Sequence, residues 1–200
     1  MTFAPSRYHP DVAAVLALDG DGQRPLPLVM KGCLSHEARQ RLAKAQAQEW
    51  FAGSRSPNAA LAALWLYFSC FDESHDISMD LPSAEGAYIH GILHRMEPDN
   101  WNAKYWLRQA SPHPIHAELR EVAAAIAATA GSPMPIPATW DSLWFADLHD
   151  AVVHDGSHPL RHSVVRIQLA EWQLLFHYCA SAHDASAHDA SAAGSVANQG

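Results

Sequence analysis

The chain has 200 residues, 48% of them apolar and 17% charged, with seven Trp and 14 His, a composition that suits one folded domain with a substantial core and is unlike a disordered chain. Acidic residues outnumber basic ones 21 to 13, a formal charge of -8, which removes any overall electrostatic drive toward nucleic acid or an anionic membrane. No apolar run approaches the roughly 18 residues needed to span a bilayer, the N-terminal residues lack the basic start and cleavage site of a signal peptide, and Cys33, Cys70 and Cys179 have no CxxC spacing. Neither a disulfide framework nor a thiolate zinc site is expected, and a reducing cytoplasm fits best.

In chain order, residues 1–34 hold Pro5, Pro10, Pro25, Pro27 and the turn cluster DGDG at 19–22, which restricts regular structure to a short helix near 12–18 within an irregular wrap. Residues 35–52 read as a largely exposed helix, with Ser35 as N-cap and Gly53 as its stop. Ser56 and Pro57 begin a core helix in which Leu61, Leu64, Trp65 and Phe68 recur at i, i+3, i+4 and i+7, running on to about 71. A loop holding Pro82 leads to a helix over about 84–96, ended by Pro98. Asp99 can cap a helix over 101–110, Pro112 and Pro114 break the chain, and an Ala-rich helix follows over about 115–130. After the Pro-rich connection 131–140, Thr139 can cap a helix through Leu143, Trp144, Ala146 and Leu148. Val165, Leu169, Trp172, Phe176 and Cys179 then form the core stripe of the last helix. Residues 181–200 continue a repeat of small and polar residues and predict a disordered tail. No period-two alternation points to a sheet. The expectation is an all-α, single-domain array of six to eight helices, orthogonal or bundle-like, with a wrap at 1–34, a helical domain carrying the site at 35–180 and a tail at 181–200.

Chemistry concentrates at 71–108. His90, His94 and Glu97 stand at i, i+4 and i+7, one column on a helix face. Two imidazoles so placed suit one divalent transition metal such as zinc, manganese, iron or nickel. Further ligands could come from Glu73 or His75 before the helix or from His113 or His116 after it, with Glu97 as ligand or as acid/base group beside a bound water. With so many histidines, chance pairs also arise: His154, His158 and His162 share the spacing, yet Gly156 and Pro159 interrupt them. A metal centre, a metal-free His/Glu site and a closed structural network all remain open. If the column faces away from Ile89, Ile92, Leu93 and Met96, the helix packs by one face and presents chemistry with the other.

Lys104 and Arg108 are like charges at i, i+4 and need a negative partner. It is either internal, from Glu97 and Asp99, or a carboxylate or phosphate of a ligand, bound with help from Arg95. Trp101, Tyr105 and Trp106 can wall a pocket, and Asn102 offers a donor and an acceptor or serves the helix start. The residues expected to act are therefore Glu97, Glu73 and His75 in catalysis, Arg95, Lys104, Tyr105 and Asn102 on the substrate, and His90 and His94 on the metal. They fit a hydrolase or lyase acting on a small polar or anionic molecule, or a non-catalytic small-molecule-binding or scaffold protein using the same pocket.

The strings ESH at 73–75, HGILHRMEPD at 90–99 and NAKYW at 102–106 resemble those of a family of small bacterial proteins of uncharacterised activity, over roughly residues 64–179. Met96 departs from the pattern, in which an Arg is expected. The resemblance implies where the site lies and brings no cofactor or reaction with it.

Overall fold

The computed structural model describes residues 2–131 and 133–182; the tail expected over 181–200 lies, beyond 182, outside them. Among the described residues there is no strand, only an isolated bridge between Ser54 and Ala182. The described residues are all-α, with ten α-helices rather than six to eight. They are α1 (Pro10–Leu16), α2 (His36–Leu42), α3 (Ala47–Trp50), α4 (Pro57–Tyr67), α5 (Phe71–Met79), α6 (Ala84–Met96), α7 (Asn100–Ala110), α8 (His116–Thr129), α9 (Ser142–His154) and α10 (Arg161–Ala180).

Two breaks that no Pro or Gly announces account for the difference. The first divides the helix expected over 35–52 into α2 and α3. Leu42 and Ala47 are both buried, and on one continuous helix residues five apart point about 140° away from each other; the break lets both reach the core. The second ends α4 at Tyr67. There Ser69 takes φ 58, Ser69 N–H donates to Leu66 O and Cys70 N–H to Trp65 O, the paired bonds of a left-handed C-cap that usually uses Gly. The chain then restarts as α5, a helix of its own between the end of the core helix expected near 71 and the loop expected at Pro82.

Helix α4 is the centre. Every residue from 59 to 67 is buried, and its alanines let neighbours approach closely, so that Trp172 Nε1–H on α10 reaches Ala63 O at 2.8 Å and Ser74 Oγ–H on α5 reaches Ala62 O at 2.8 Å. The N-terminal wrap continues as a strap across this core: Met30 N–H donates to Met96 O, Leu34 N–H to Phe68 O, and Gln168 Nε2 to Pro27 O. Against the expectation of no disulfide framework, Cys33 of the strap and Cys70 at the head of α5 are joined by a disulfide, and Cys179 is a buried thiol. Spacing could not reveal that pair, because the turn at Ser69 is what brings Cys70 to the strap.

Helix α6 corrects a second expectation. All residues from 86 to 96 are buried, so it has no open face, and α4, α5, α7 and α9 pack around it. Its approach to α7 requires Gly91, where a Cβ would lie 2.7 Å from Leu107 Cγ and 3.2 Å from Leu107 N. Gly91→Ala is expected to destabilise the fold by about 1–3 kcal/mol through overpacking, more than the roughly 1 kcal/mol that Ala gains over Gly in a helix. A urea midpoint equal to or above that of the parent chain would contradict this.

Candidate metal centre

Three histidines from two helices meet between α5 and α6. Schellman-type capping of α4 and the Ser74 bond fix α5 so that His75 faces His90 and His94, and one nitrogen from each of the three lies within 4.8 Å of the others. His90 and His94 are buried and His75 is partly exposed. His90 Nε2 and His94 Nε2 are 3.0 Å apart. Tetrahedral ligands at about 2.0–2.1 Å from a zinc ion sit about 3.3 Å from one another, so the α6 pair is nearly at that separation, and the His75 nitrogen lies within 4.8 Å of both.

Glu97 is held beside the pair by the end of α6. Its N–H donates to Leu93 O, Asp99 N–H closes back onto His94 O, and Glu97 Oε2 lies 3.0 Å from His94 Nδ1. With that carboxylate accepting Nδ1–H, His94 presents the lone pair of Nε2, the tautomer a metal needs. His90 Nε2–H then satisfies the lone pair when no ion is bound, and His90 Nδ1 is left buried without a partner. Aromatic rings wall the site: Trp106 stacks on His90 with centroids 4.2 Å apart at 18°, and Phe71 stacks on His75 at 5.4 Å.

The other expected residues have different surroundings. Glu73 forms an ion pair with Arg39 and does not join the histidines. Arg95 is turned inward from α6, where it pairs with Glu171 of α10 and lies over the Phe145 ring; both charged side chains are fully enclosed. Lys104 Nζ donates to Asp147 Oδ1 at 2.6 Å, Asn100 Nδ2 donates to the same oxygen, and Arg108 adds its charge there. The negative partner required by Lys104 and Arg108 is thus Asp147 of α9, a residue outside the segment first considered. Burial pushes the Asp147 carboxyl up, but the Lys104 and Asn100 hydrogen bonds and the two cationic charges outweigh it and hold its pKa low. Asn102 serves the α7 cap, with N–H and Nδ2 both donating to Asp99. Tyr105 is exposed and stacks at 11° with exposed Trp101.

His113 and His116 lie elsewhere, on a larger cleft of 770 Å³ that they line with Trp140. Three of their four ring nitrogens have partners: Ile115 N–H donates to His113 Nδ1, His113 N–H to His116 Nδ1, and His116 Nε2 faces Ser142 Oγ at 3.3 Å, while His113 Nε2 is buried without a partner. The size of this cleft is that of a ligand pocket, but the convergent nitrogens are at the other site, and convergence is what metal chemistry needs. Of the three aromatics expected to wall a pocket, Trp106 does lie against the histidines; sequence reasoning missed Phe71 as the second wall, and it missed the Arg95 partner. Glu171, an acid between Leu169 and Trp172 in the apolar stripe of the last helix, was the available signal for a buried ion pair.

Three buried imidazoles are held neutral. Burial, aided by His75 and His94, lowers His90 to about 4; burial lowers His113 to about 4 against the charge of Glu85; burial and the Arg95 charge lower His149 to about 3. In the unfolded chain each titrates near 6.5. Between about 6.5 and about 4 the unfolded state therefore binds protons that the folded state refuses, so stability stays level above this window and falls as pH drops through it. Thermal melts in a chelator should show this fall between pH about 7 and about 5, and an unchanged melting temperature would contradict it.

A scan against protein-family models returned no match, and comparisons with curated proteins and with solved structures returned none either.

Proposed function

We propose that His75, His90 and His94 hold one divalent transition metal, and that the protein is a metal-dependent hydrolase or lyase acting on a small polar molecule. The observation that carries this reading is the meeting of three imidazole nitrogens within 4.8 Å with a carboxylate behind one of them. Three neutral nitrogen ligands leave a fourth tetrahedral position open, the arrangement of catalytic rather than structural zinc sites. Imidazole ligands favour zinc, iron or nickel over manganese, which prefers oxygen. A metal held there supplies Lewis acidity and acidifies a water that it carries. The residues of the chain do the rest. Glu97 fixes the His94 ring and tautomer, His90 stays deprotonated by burial, and Trp106 and Phe71 shield the ligands from water.

A metal-free reading is favoured by one observation, the 3.0 Å contact between His90 and His94, which satisfies both Nε2 atoms without an ion. The same pocket would then serve recognition without catalysis. Metal-loaded protein assayed against panels of small esters, amides and hydroxy acids separates the two. Turnover that disappears in His94→Ala and in chelator is expected; a loaded protein that binds small molecules but turns none over leaves the non-catalytic reading standing.

A further inference from the structure

A cleft of 420 Å³ is lined by Arg7, Arg55, Ile115, Leu174, His177 and Ser181, among others. None of its lining residues belongs to the His75/His90/His94 centre. Arg7 ends a short 3-10 helix at Pro5–Arg7, and Arg55 lies in the segment that closes the C-terminal end of α10. There Arg55 N–H donates to Ser181 O and Ser56 N–H to Cys179 O, Arg55 Nη1 donates to Tyr178 O at 2.9 Å, and the guanidinium lies over the Tyr178 ring. The last carbonyls of a helix carry the negative end of its dipole and would repel an anion; here several of them are already occupied by donors.

In a chain of formal charge -8, guanidinium groups find acids readily. Arg24, Arg39, Arg41, Arg95 and Arg120 each hold a carboxylate within ion-pair distance. Arg7 and Arg55 form no ion pair among the described residues, yet both line the same cleft, where Glu118 is the one acid. Both of their charges also reach His177: burial, then Arg7, then Arg55 lower its pKa against the opposing charge of Glu118. Burial pushes the Tyr8 phenol up to about 12, so it keeps its proton and donates to His177 Nδ1 at 3.1 Å. The proton of the neutral ring then sits on Nε2, a further donor beside the Ser181 hydroxyl 3.4 Å away.

Two guanidinium forks and an imidazole N–H suit the several oxygens and double charge of a phosphate better than a single carboxylate. The volume is that of a small-molecule pocket, larger than a bare phosphate fills, and Ile115 and Leu174 offer apolar surface to whatever the phosphate is attached to. We infer that this cleft binds a small phosphate monoester, with its oxygens on Arg7, Arg55 and His177 and its organic part against Ile115 and Leu174.

The test is calorimetric titration of the full chain with phenyl phosphate and with phenol in a chloride buffer, on protein as purified and again after chelator treatment and dialysis. Phenyl phosphate is expected to bind at least tenfold more tightly than phenol, equally well before and after metal removal. Arg7→Gln and Arg55→Gln should each weaken it on the order of tenfold, while Arg166→Gln, an exposed arginine elsewhere on α10 that contacts Thr129, should not. Arg7 is the cleaner variant, because Arg55 also holds the Tyr178 carbonyl; an unchanged melting temperature in Arg7→Gln assigns its loss of affinity to the ligand. Phenol binding as tightly as its phosphate, no binding of phenyl phosphate, or unaltered affinity in Arg7→Gln would overturn the inference. So would binding that disappears with the metal, which would place the phosphate at the histidine triad instead.

Discussion

Protein purified without a histidine tag is expected to carry close to one zinc, iron or nickel ion per chain by elemental analysis. His90→Ala and His94→Ala should each lower the affinity by about 100-fold or more, and Glu97→Gln by about 10- to 100-fold, because a carboxylate behind a ligating histidine sets its tautomer and basicity. His154→Ala should change nothing, since that residue shares the helical spacing but none of the convergence; its Nδ1 lies against the Asp150 carbonyl at 2.9 Å on an exposed surface. Saturating metal stabilises the folded state by about 2.7 kcal/mol at 100 times the dissociation constant, so the melting temperature of the parent chain should rise with added zinc and that of His94→Ala should not. Equal metal content in the parent, His90→Ala and His94→Ala chains would sink the metal centre. Wholesale unfolding of both histidine variants in chelator would return these residues to a structural role.

The second large effect is expected far from the metal. Glu171→Leu should cost about 3–5 kcal/mol in chemical denaturation, because it strands the Arg95 guanidinium in the core. Arg95 and Glu171 side chains are 1% and 0% exposed, and Glu171 Oε1 also accepts from Tyr88 Oη–H at 3.1 Å. Arg95 Nε has no partner even in the intact pair, and both hydrogen bonds that the guanidinium makes among the described residues go to Glu171. The double variant Arg95→Met/Glu171→Leu should recover most of the loss, since an apolar pair of similar volume avoids the cost of burying two ions. Were the single variant as stable as the parent, the pair would not be enclosed as described. Loss of metal binding in the rescued double variant would mean that Arg95 contributes to the site after all, through its chain neighbour His94.

Most of the secondary structure was legible because it is written in local terms. The 84–96 helix follows from the loop at Pro82 ahead of it and Pro98 behind it, and the structure has it at Ala84–Met96, with a cap the sequence reading did not name, Ser83 Oγ accepting from Gly86 N–H. The stripe from Val165 to Cys179 likewise specifies α10, and Asp99 specifies the start of α7. The breaks at 43–46 and 68–70 were not legible, because burial of Leu42 and Ala47 and a left-handed Ser69 are demands of the core and leave no Gly or Pro in the chain. The pairing of Cys33 with Cys70 depends on the second of these breaks and was hidden with it.

For the site, the sequence by itself determined that His90 and His94 share a helix face with Glu97, since helical periodicity alone puts i, i+4 and i+7 in one column. It could not choose among Glu73, His75, His113 and His116 for a third nitrogen, nor say whether Arg95 and Lys104 faced a ligand. Only tertiary structure decided those points. A helix fixes directions along itself, while the partner across a gap is set by how α5 lies on α4, how α10 delivers Glu171 to Arg95 and how α9 delivers Asp147 to Lys104. These contacts join residues from 12 to 76 positions apart and are set by packing rather than by spacing.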